Sequence, residues 1–293
     1  MNATDWPDEP FEAHRAHLRS VAYRMLGSLT EADDAVQESW LRLSRADSGD
    51  VRDLRAWLTT VVSRVCLDML RSRTARREES LEVHVPDPIV TRPDEDPAEH
   101  AELADSIGIA LLVVLDTLSP TERLAFVLHD IFALPFEQIG SILDRSPAAA
   151  KQLASRARRR LRAAPPRPTD LSRQWAVVEA FLAASQDGDF EGLLAILDPE
   201  VVLRADAGAG PFGPSVLLRG PREVLAQARL FAPLGRYARP VLVNGGPGFL
   251  IARGGEPLAL MAVTIENGKI TEMDVLADPD RLGRLDLAGV LEE

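Results

Sequence analysis

The chain has 293 residues, 46% of them hydrophobic and 27% charged, with a formal net charge of −12. That composition is ordinary for globular proteins, and the length suggests two domains or three small ones, which excludes a disordered or fibrous chain. The single cysteine, Cys66, excludes an internal disulfide and a cysteine-rich zinc site. The longest apolar stretch, 107–115, falls far short of the ~20 residues that span a bilayer. The polar N-terminus lacks a signal-peptide pattern, so the expectation is a soluble, cytoplasmic chain with no membrane contact.

Residues 1–75 read as an all-helical block. A first helix runs over 11–27, with Gly27 as its stop. Thr30 is placed to cap a second helix over 30–46. On it Val36, Trp40 and Leu43 share one face, and Asp34, Gln37, Glu38 and Leu41 share the opposite one. A third helix, over 53–73, carries Trp57, Leu58, Val61 and Val65 and ends in a basic stretch with Arg71, Arg73, Arg76 and Arg77.

Residues 76–105 form an acidic linker. Between 78 and 105 there are 10 acidic residues and one basic one, with Pro86, Pro88, Pro93 and Pro97 among them. A second helical block follows, over 106–163. Ser119-Pro120-Thr121-Glu122 combines a capping box with proline at the first helical position, and that helix is expected to continue to Ile131. A helix over 135–143, a turn at Asp144-Arg145 and a helix opened by Ser146-Pro147 give a helix-turn-helix pattern. Six of the eight cations between 106 and 164 crowd into 151–162. At roughly 100° per residue, Ala150, Leu153, Ala154, Ala157 and Leu161 face the core, while Gln152, Ser155 and Arg159 lie opposite. Lys and Arg suit phosphates and guanine edges, and Gln suits adenine. Lys151, Gln152, Ser155 and Arg156, near the helix start, are placed to reach bases, and 158–162 to hold the backbone.

A short proline-dense linker, 164–168, leads to a third block over 169–293. Two helices, 171–184 and 190–197, precede apolar strand-like runs at 201–203, 216–218, 241–243, 249–251 and 258–265, interrupted by a helix over 221–231. Glu266-Asn267-Gly268-Lys269 is a hairpin turn signal. Helices followed by a curved antiparallel sheet imply an α+β domain.

The motifs Ala32-Asp33-Asp34-Ala35-Val36-Gln37-Glu38-Ser39-Trp40-Leu41-Arg42-Leu43, Arg55-Ala56-Trp57-Leu58 and Leu67-Asp68-Met69-Leu70-Arg71 resemble sigma region 2. Leu118-Ser119-Pro120-Thr121-Glu122-Arg123 and Ser155-Arg156-Ala157-Arg158-Arg159-Arg160-Leu161 resemble region 4. Together they are similar to a bacterial sigma factor of the extracytoplasmic-function (ECF) group. The third block resembles the SnoaL-like branch of the cone-shaped nuclear-transport-factor fold, as in the SigJ-type subgroup. The implied fold is multidomain: two all-α domains, sigma region 2 and the helix-turn-helix region 4, and a C-terminal α+β cone-like SnoaL-type domain.

The resemblance implies core RNA polymerase and promoter DNA as partners. Asp34, Gln37, Glu38 and Leu41 would bind polymerase. Arg52, Arg55, Arg64, Arg71 and Arg73 would hold the melted minus-ten strands, beside a loop at 46–52 that captures a base. Lys151, Gln152, Ser155, Arg156 and Arg159 would read the minus-thirty-five element. It also implies control in cis by the third domain. The family's motif after an Arg-Ala-Asp strand reads Arg204-Ala205-Asp206-Ala207-Gly208-Ala209-Gly210 here and lacks the glycine run and its lysine. The C-terminal motif reads Asp278-Pro279-Asp280-Arg281-Leu282, and the linker motif is reduced to Val85-Pro86-Asp87-Pro88. Asp206, Asp278, Pro279, Asp280 and Arg281 are the expected regulatory contacts.

The third block is not read as an enzyme. All five histidines (His14, His17, His84, His100 and His129) lie outside it in sequence, and it has no cysteine. Asp206, beside a glycine-rich turn, reads as structural. No cofactor or metal is expected, a small-molecule ligand of an apolar pocket is favoured over catalysis, and the free chain is expected to be a monomer. The alternative is a ligand-responsive helix-turn-helix regulator that does not recruit polymerase; the region-2 motifs, which a repressor does not need, discriminate against it.

Overall fold

The computed structural model describes residues 8–46, 53–76, 83–94, 108–161 and 171–291. They fall into two compact units. One holds the first helical block and the second from Val114 onward. The other holds the C-terminal block and, with it, the linker residues 83–94 and the start of the second helical block, 108–113.

The helical unit begins with α1 (Asp8–Leu26), α2 (Leu29–Leu43) and α3 (Leu54–Arg76). Phe11, Leu18, Met25, Leu43 and Leu58 are fully buried among them. The cap of α2 is Ser28, not Thr30: the Ser28 hydroxyl accepts from the Glu31 amide, and Thr30 falls inside the first turn. The Asp53 carboxylate accepts from the Ala56 amide at 3.0 Å and so opens α3.

After α4 (Ile109–Asp116) comes α5 (Pro120–Phe126), whose Ser119–Glu122 capping box is formed in both directions. The expected continuation to Ile131 is a π-helical turn, Val127–Ile131, closed by the Phe132 amide on the Val127 carbonyl at 3.2 Å. Such turns insert a residue into an α-helix and often mark functional joints. The helix-turn-helix is completed by α6 (Phe136–Leu143) and α7 (Pro147–Leu161). Asp144 ends α6 in the left-handed region, at φ 54°. Gly140 is required here: a Cβ on it would lie 2.7 Å from the Arg145 carbonyl oxygen, so a side chain would push the two helices apart. On α7, Ala150, Ala154, Ala157 and Leu161 are buried, as the periodicity predicts.

In the second unit, α8 (Leu171–Asp187) and α9 (Phe190–Ile196) pack on a curved sheet. Its strands are β1 (Val90–Thr91), β2 (Leu197–Asp206), β3 (Val216–Arg219), β4 (Ala238–Val243), β5 (Gly246–Arg253), β6 (Glu256–Glu266) and β7 (Lys269–Leu276). The order across the sheet is β1-β4-β5-β6-β7-β2-β3. The sheet is mixed, not purely antiparallel: β2 and β7 run parallel. The reason is connectivity. The long excursion from β2 through α10 (Pro221–Phe231) and β4 to β6 returns β7 beside β2 in the same direction. Register shifts in the β2–β7, β5–β6 and β6–β7 pairings mark bulges that bend the sheet.

Asn267 and Gly268 both take positive φ (50° and 76°), as the hairpin signal requires, and Asn244-Gly245 forms an unanticipated second turn of that kind. The concave face carries Leu203, Phe249 and Met273 in one core with Val178 and Phe181 of α8. Among the described residues no helix is long and apolar enough to cross a membrane.

Candidate nucleic-acid interface and linker clasp

The expected polymerase face on α2 is accessible. Asp34, Gln37 and Leu41 are exposed and Glu38 is half-buried, next to Arg42 at 3.0 Å. Leu41 is one of few large exposed apolar side chains, at 39% exposure. Trp40 turns inward and packs on Phe11 with ring centroids 5.0 Å apart.

Of the five expected region-2 arginines, Arg52 and most of the 46–52 loop lie outside the described residues. Arg55 and Arg71 are exposed on α3. Arg64 is exposed too, but donates to the Ser141 carbonyl of α6 at 2.9 Å. Arg73 is engaged elsewhere: it donates to the Leu26 carbonyl at the end of α1 and pairs with Glu31. A carbonyl at a helix C-terminus attracts a cation, so Arg73 serves to pin α1 to α3. Trp57 is half-buried on α3.

On α7 the expected reading residues Lys151, Gln152, Ser155, Arg156 and Arg159 are all exposed on one side. Arg158 and Arg160, expected to hold the DNA backbone, pair instead with Asp130 (2.7 Å) and Glu122 (3.0 Å) of the same block. Both carboxylates lie across from the flank of α7 and take up these cations.

Regions 2 and 4 share a buried joint that the sequence did not reveal. Arg123, 2% exposed, pairs with Asp116 and donates to the Arg24 carbonyl of α1 at 3.3 and 3.4 Å. Phe132 lies edge-on to His17 at 5.5 Å, and the Arg24 guanidinium lies over its ring. Burial, with the charges of Arg55, His14 and Arg24 nearby, pushes His17 down to about 4, so its ring is neutral at physiological pH. His129 is half-buried, binds the Leu134 carbonyl through Nδ1 at 2.9 Å and stacks on Phe136.

The expected regulatory residues converge on the linker. Asp278 caps α11 (Pro279–Leu282), accepting from the Asp280 and Arg281 amides at 2.9 and 3.2 Å. Pro279 opens that turn, and Asp280 is exposed. The turn aims Arg281 at three partners. Its Nη1 reaches Asp206 Oδ2 at 2.6 Å, its Nη2 reaches the Val85 carbonyl at 2.5 Å, and its Nε reaches Asp87 Oδ1 at 3.1 Å. Asp206 also accepts from the Val85 amide at 3.3 Å and lies 3.4 Å from His84 Nδ1. Burial opposes ionisation of Asp206, but the His84 hydrogen bond, the Arg281 charge and the Val85 amide hold its carboxyl below the usual carboxylate range. Gly208 lets the following turn close on Asp278, since a Cβ there would overlap the Asp278 carboxylate.

The linker then continues along the domain. Ile89 exchanges two hydrogen bonds with Asn244 (3.0 and 2.8 Å), and Val90 and Thr91 pair with β4. Sequence distance had set His84 apart from the third block, and the structure places it there. Asn244 was also missed, although its Asn-Gly turn signal was readable.

Residues 10–76 match the family Sigma-70 region 2, and residues 108–161 match Sigma-70, region 4. The chain is 37% identical to the probable ECF RNA polymerase sigma factor SigI of Mycobacterium tuberculosis, over 97% of this chain and 98% of that protein. It is 39% identical to the ECF RNA polymerase sigma factor SigJ of the same organism, over 92% and 91%. The crystal structure of M. tuberculosis SigJ covers 96% of this chain and all of that one, with a TM-score of 0.76 and 36% identity. With both sigma regions matched and the likeness running through the C-terminal domain, this chain belongs to the ECF RNA polymerase sigma factors.

Proposed function

We propose that the chain directs promoter-specific initiation through two exposed surfaces of its helical unit, and that the C-terminal domain regulates it in cis by holding the linker. Asp34, Gln37, Glu38 and Leu41 form the polymerase contact, a polar face with one apolar residue at its C-terminal end. Arg55, Arg64 and Arg71 contact the minus-ten strands. Lys151, Gln152, Ser155, Arg156 and Arg159 enter the major groove at the minus-thirty-five element.

The observation that supports regulation in cis is the Arg281 clasp. One guanidinium ties Asp206 of β2 to Val85 and Asp87 of the linker. In this reading the linker is needed on polymerase, so any free energy holding it on the domain is subtracted from polymerase binding. In this reading Asp206 is a clasp residue and the domain regulates without catalysing, in a chain that is monomeric when free.

Transcription with sigma-free core polymerase on a promoter selected from the source genome tests both parts. The full chain, a chain ending at Ala164 and Arg281→Ala are compared. Transcripts from all three, most from Arg281→Ala, are expected. No transcript from any of them, with working polymerase controls, favours a regulator that does not recruit polymerase. Equal output from Arg281→Ala and wild type removes the clasp alone.

A further inference from the structure

The C-terminal domain has a cavity of about 110 Å3 between the concave face of the sheet and α8, α10 and the loop carrying Phe212. It exists because three inward-facing positions are alanines, Ala205 and Ala259 on the sheet and Ala277 just beyond β7, where larger side chains would fill the space. Four phenylalanines and two methionines line the remainder, among them Phe212, Phe231, Met261 and Met273. Only Ser185 and Gln227 bring side-chain hydrogen-bonding groups to the wall, and no ionisable residue lies in it. The charged residues of these strands, Arg204, Asp206 and Asp274, alternate with the lining residues Leu203, Ala205, Met273 and Val275 and so face the other side of the sheet.

An apolar void has unmatched dispersion contacts on its walls and too few polar partners to hold ordered water. It therefore favours an apolar occupant. Its lack of charge excludes an ionic one, because a buried charge needs a partner. Size limits the occupant further: a dry engineered cavity of about 150 Å3 accepts benzene. Aromatic edges and polarisable thioethers suit a flat ring.

We propose that this cavity is a binding site for an uncharged, compact apolar molecule of about one aromatic ring, with Ser185 and Gln227 accommodating a single neutral polar substituent. The site stands independently of the clasp reading. Two of its wall residues nevertheless adjoin the clasp: Ala207 follows Asp206, and the Ala277 amide donates to the Asp206 carbonyl at 2.7 Å.

The test is methyl NMR of the full chain labelled at methionine, titrated with toluene and separately with benzoate, its charged counterpart. Toluene should produce saturable shifts at Met261 and Met273 at millimolar concentration and none at Met25 or Met69. Benzoate should produce none. Ala205→Leu, which fills the space, should weaken toluene at least tenfold. The proposal is overturned by a wild-type chain without saturable shifts at Met261 and Met273, by equal shifts with benzoate, or by unchanged toluene binding in a folded Ala205→Leu variant. Should that variant not fold, the wild-type contrast between toluene and benzoate decides.

Discussion

Arg281 and Asp206 stand 75 residues apart in sequence, yet Nη1 and Oδ2 are 2.6 Å apart, with both side chains about one-seventh exposed (16% and 13%). The same guanidinium holds Asp87, so it neutralises two carboxylates that would otherwise face each other. Removing it strands both acids in a partly desolvated place. Arg281→Ala should destabilise the C-terminal unit by roughly 1–3 kcal/mol, between the values for exposed and buried pairs. It should also speed hydrogen exchange at the Val85 and Ile89 amides, because the linker loses its anchor. Unchanged melting and unchanged exchange would remove the clasp as a structural element.

The clasp should open in acid. Asp206 is held below the usual carboxylate range, so its contribution is present above the unfolded value near 3.8 and is lost as pH falls through the folded one. Asp206→Asn should abolish that acid-side dependence of exchange at the linker amides.

Glu272 gives the opposite slope. Burial and the Asp274 charge push it up to about 7, and its Oε2 has no hydrogen-bond partner. Its folded value lies above its unfolded one, so its contribution is fully present below about pH 4.5 and is lost as pH rises through about 7. Glu272→Gln should remove a dependence of up to about 3 kcal/mol between those limits. His17 acts from the acid side, since a ring depressed to about 4 loses stability for the fold as pH falls below 6.5. Denaturation of Glu272→Gln and of His17→Gln, measured from pH 4 to 8, separates these slopes.

On α7 the exposed and the paired cations should behave differently. Gln152→Ala should relax preference at one base pair by roughly 1–3 kcal/mol. Arg159→Ala should weaken binding across promoters and lower its salt dependence. Arg158→Ala should do less, because Arg158 is already paired with Asp130. Equal losses for Arg158 and Arg159 in salt-titrated promoter binding would contradict this division.

Leu41 lies at the C-terminal end of the proposed polymerase face and is 39% exposed. Leu41→Ala should leave the melting temperature within about a degree, since exposed positions contribute little to stability. Affinity for core polymerase should fall about tenfold, as for an exposed apolar side chain buried on binding. A drop in stability without a drop in affinity would place Leu41 in the fold and not in the contact.

Local chemistry was legible wherever the residues that decide a structure are sequence neighbours. The Ser119–Glu122 box, the buried alanine seam of α7 and the Asn267-Gly268 turn follow from spacing and backbone preference over a few residues. Even an error such as Thr30 for Ser28 was a shift of two positions between equally good capping residues. The ECF motifs were equally visible, since each occupies one helix.

Tertiary structure decided everything that depends on distant residues meeting. The parallel pairing of β2 with β7, the joint of Arg123 with the Arg24 carbonyl and the placement of His84 beside Asp206 have no local signature. An arginine in a basic run looks the same whether it is free, like Arg159, or spent on a carboxylate 28 residues away, like Arg158. The sequence by itself determined the helices, the helix-turn-helix and the family, because those are set by periodicity and contiguous motifs. Which charges remain available, where the linker lies and where a cavity opens were decided by the fold, because burial and pairing are properties of packing between segments remote in the chain.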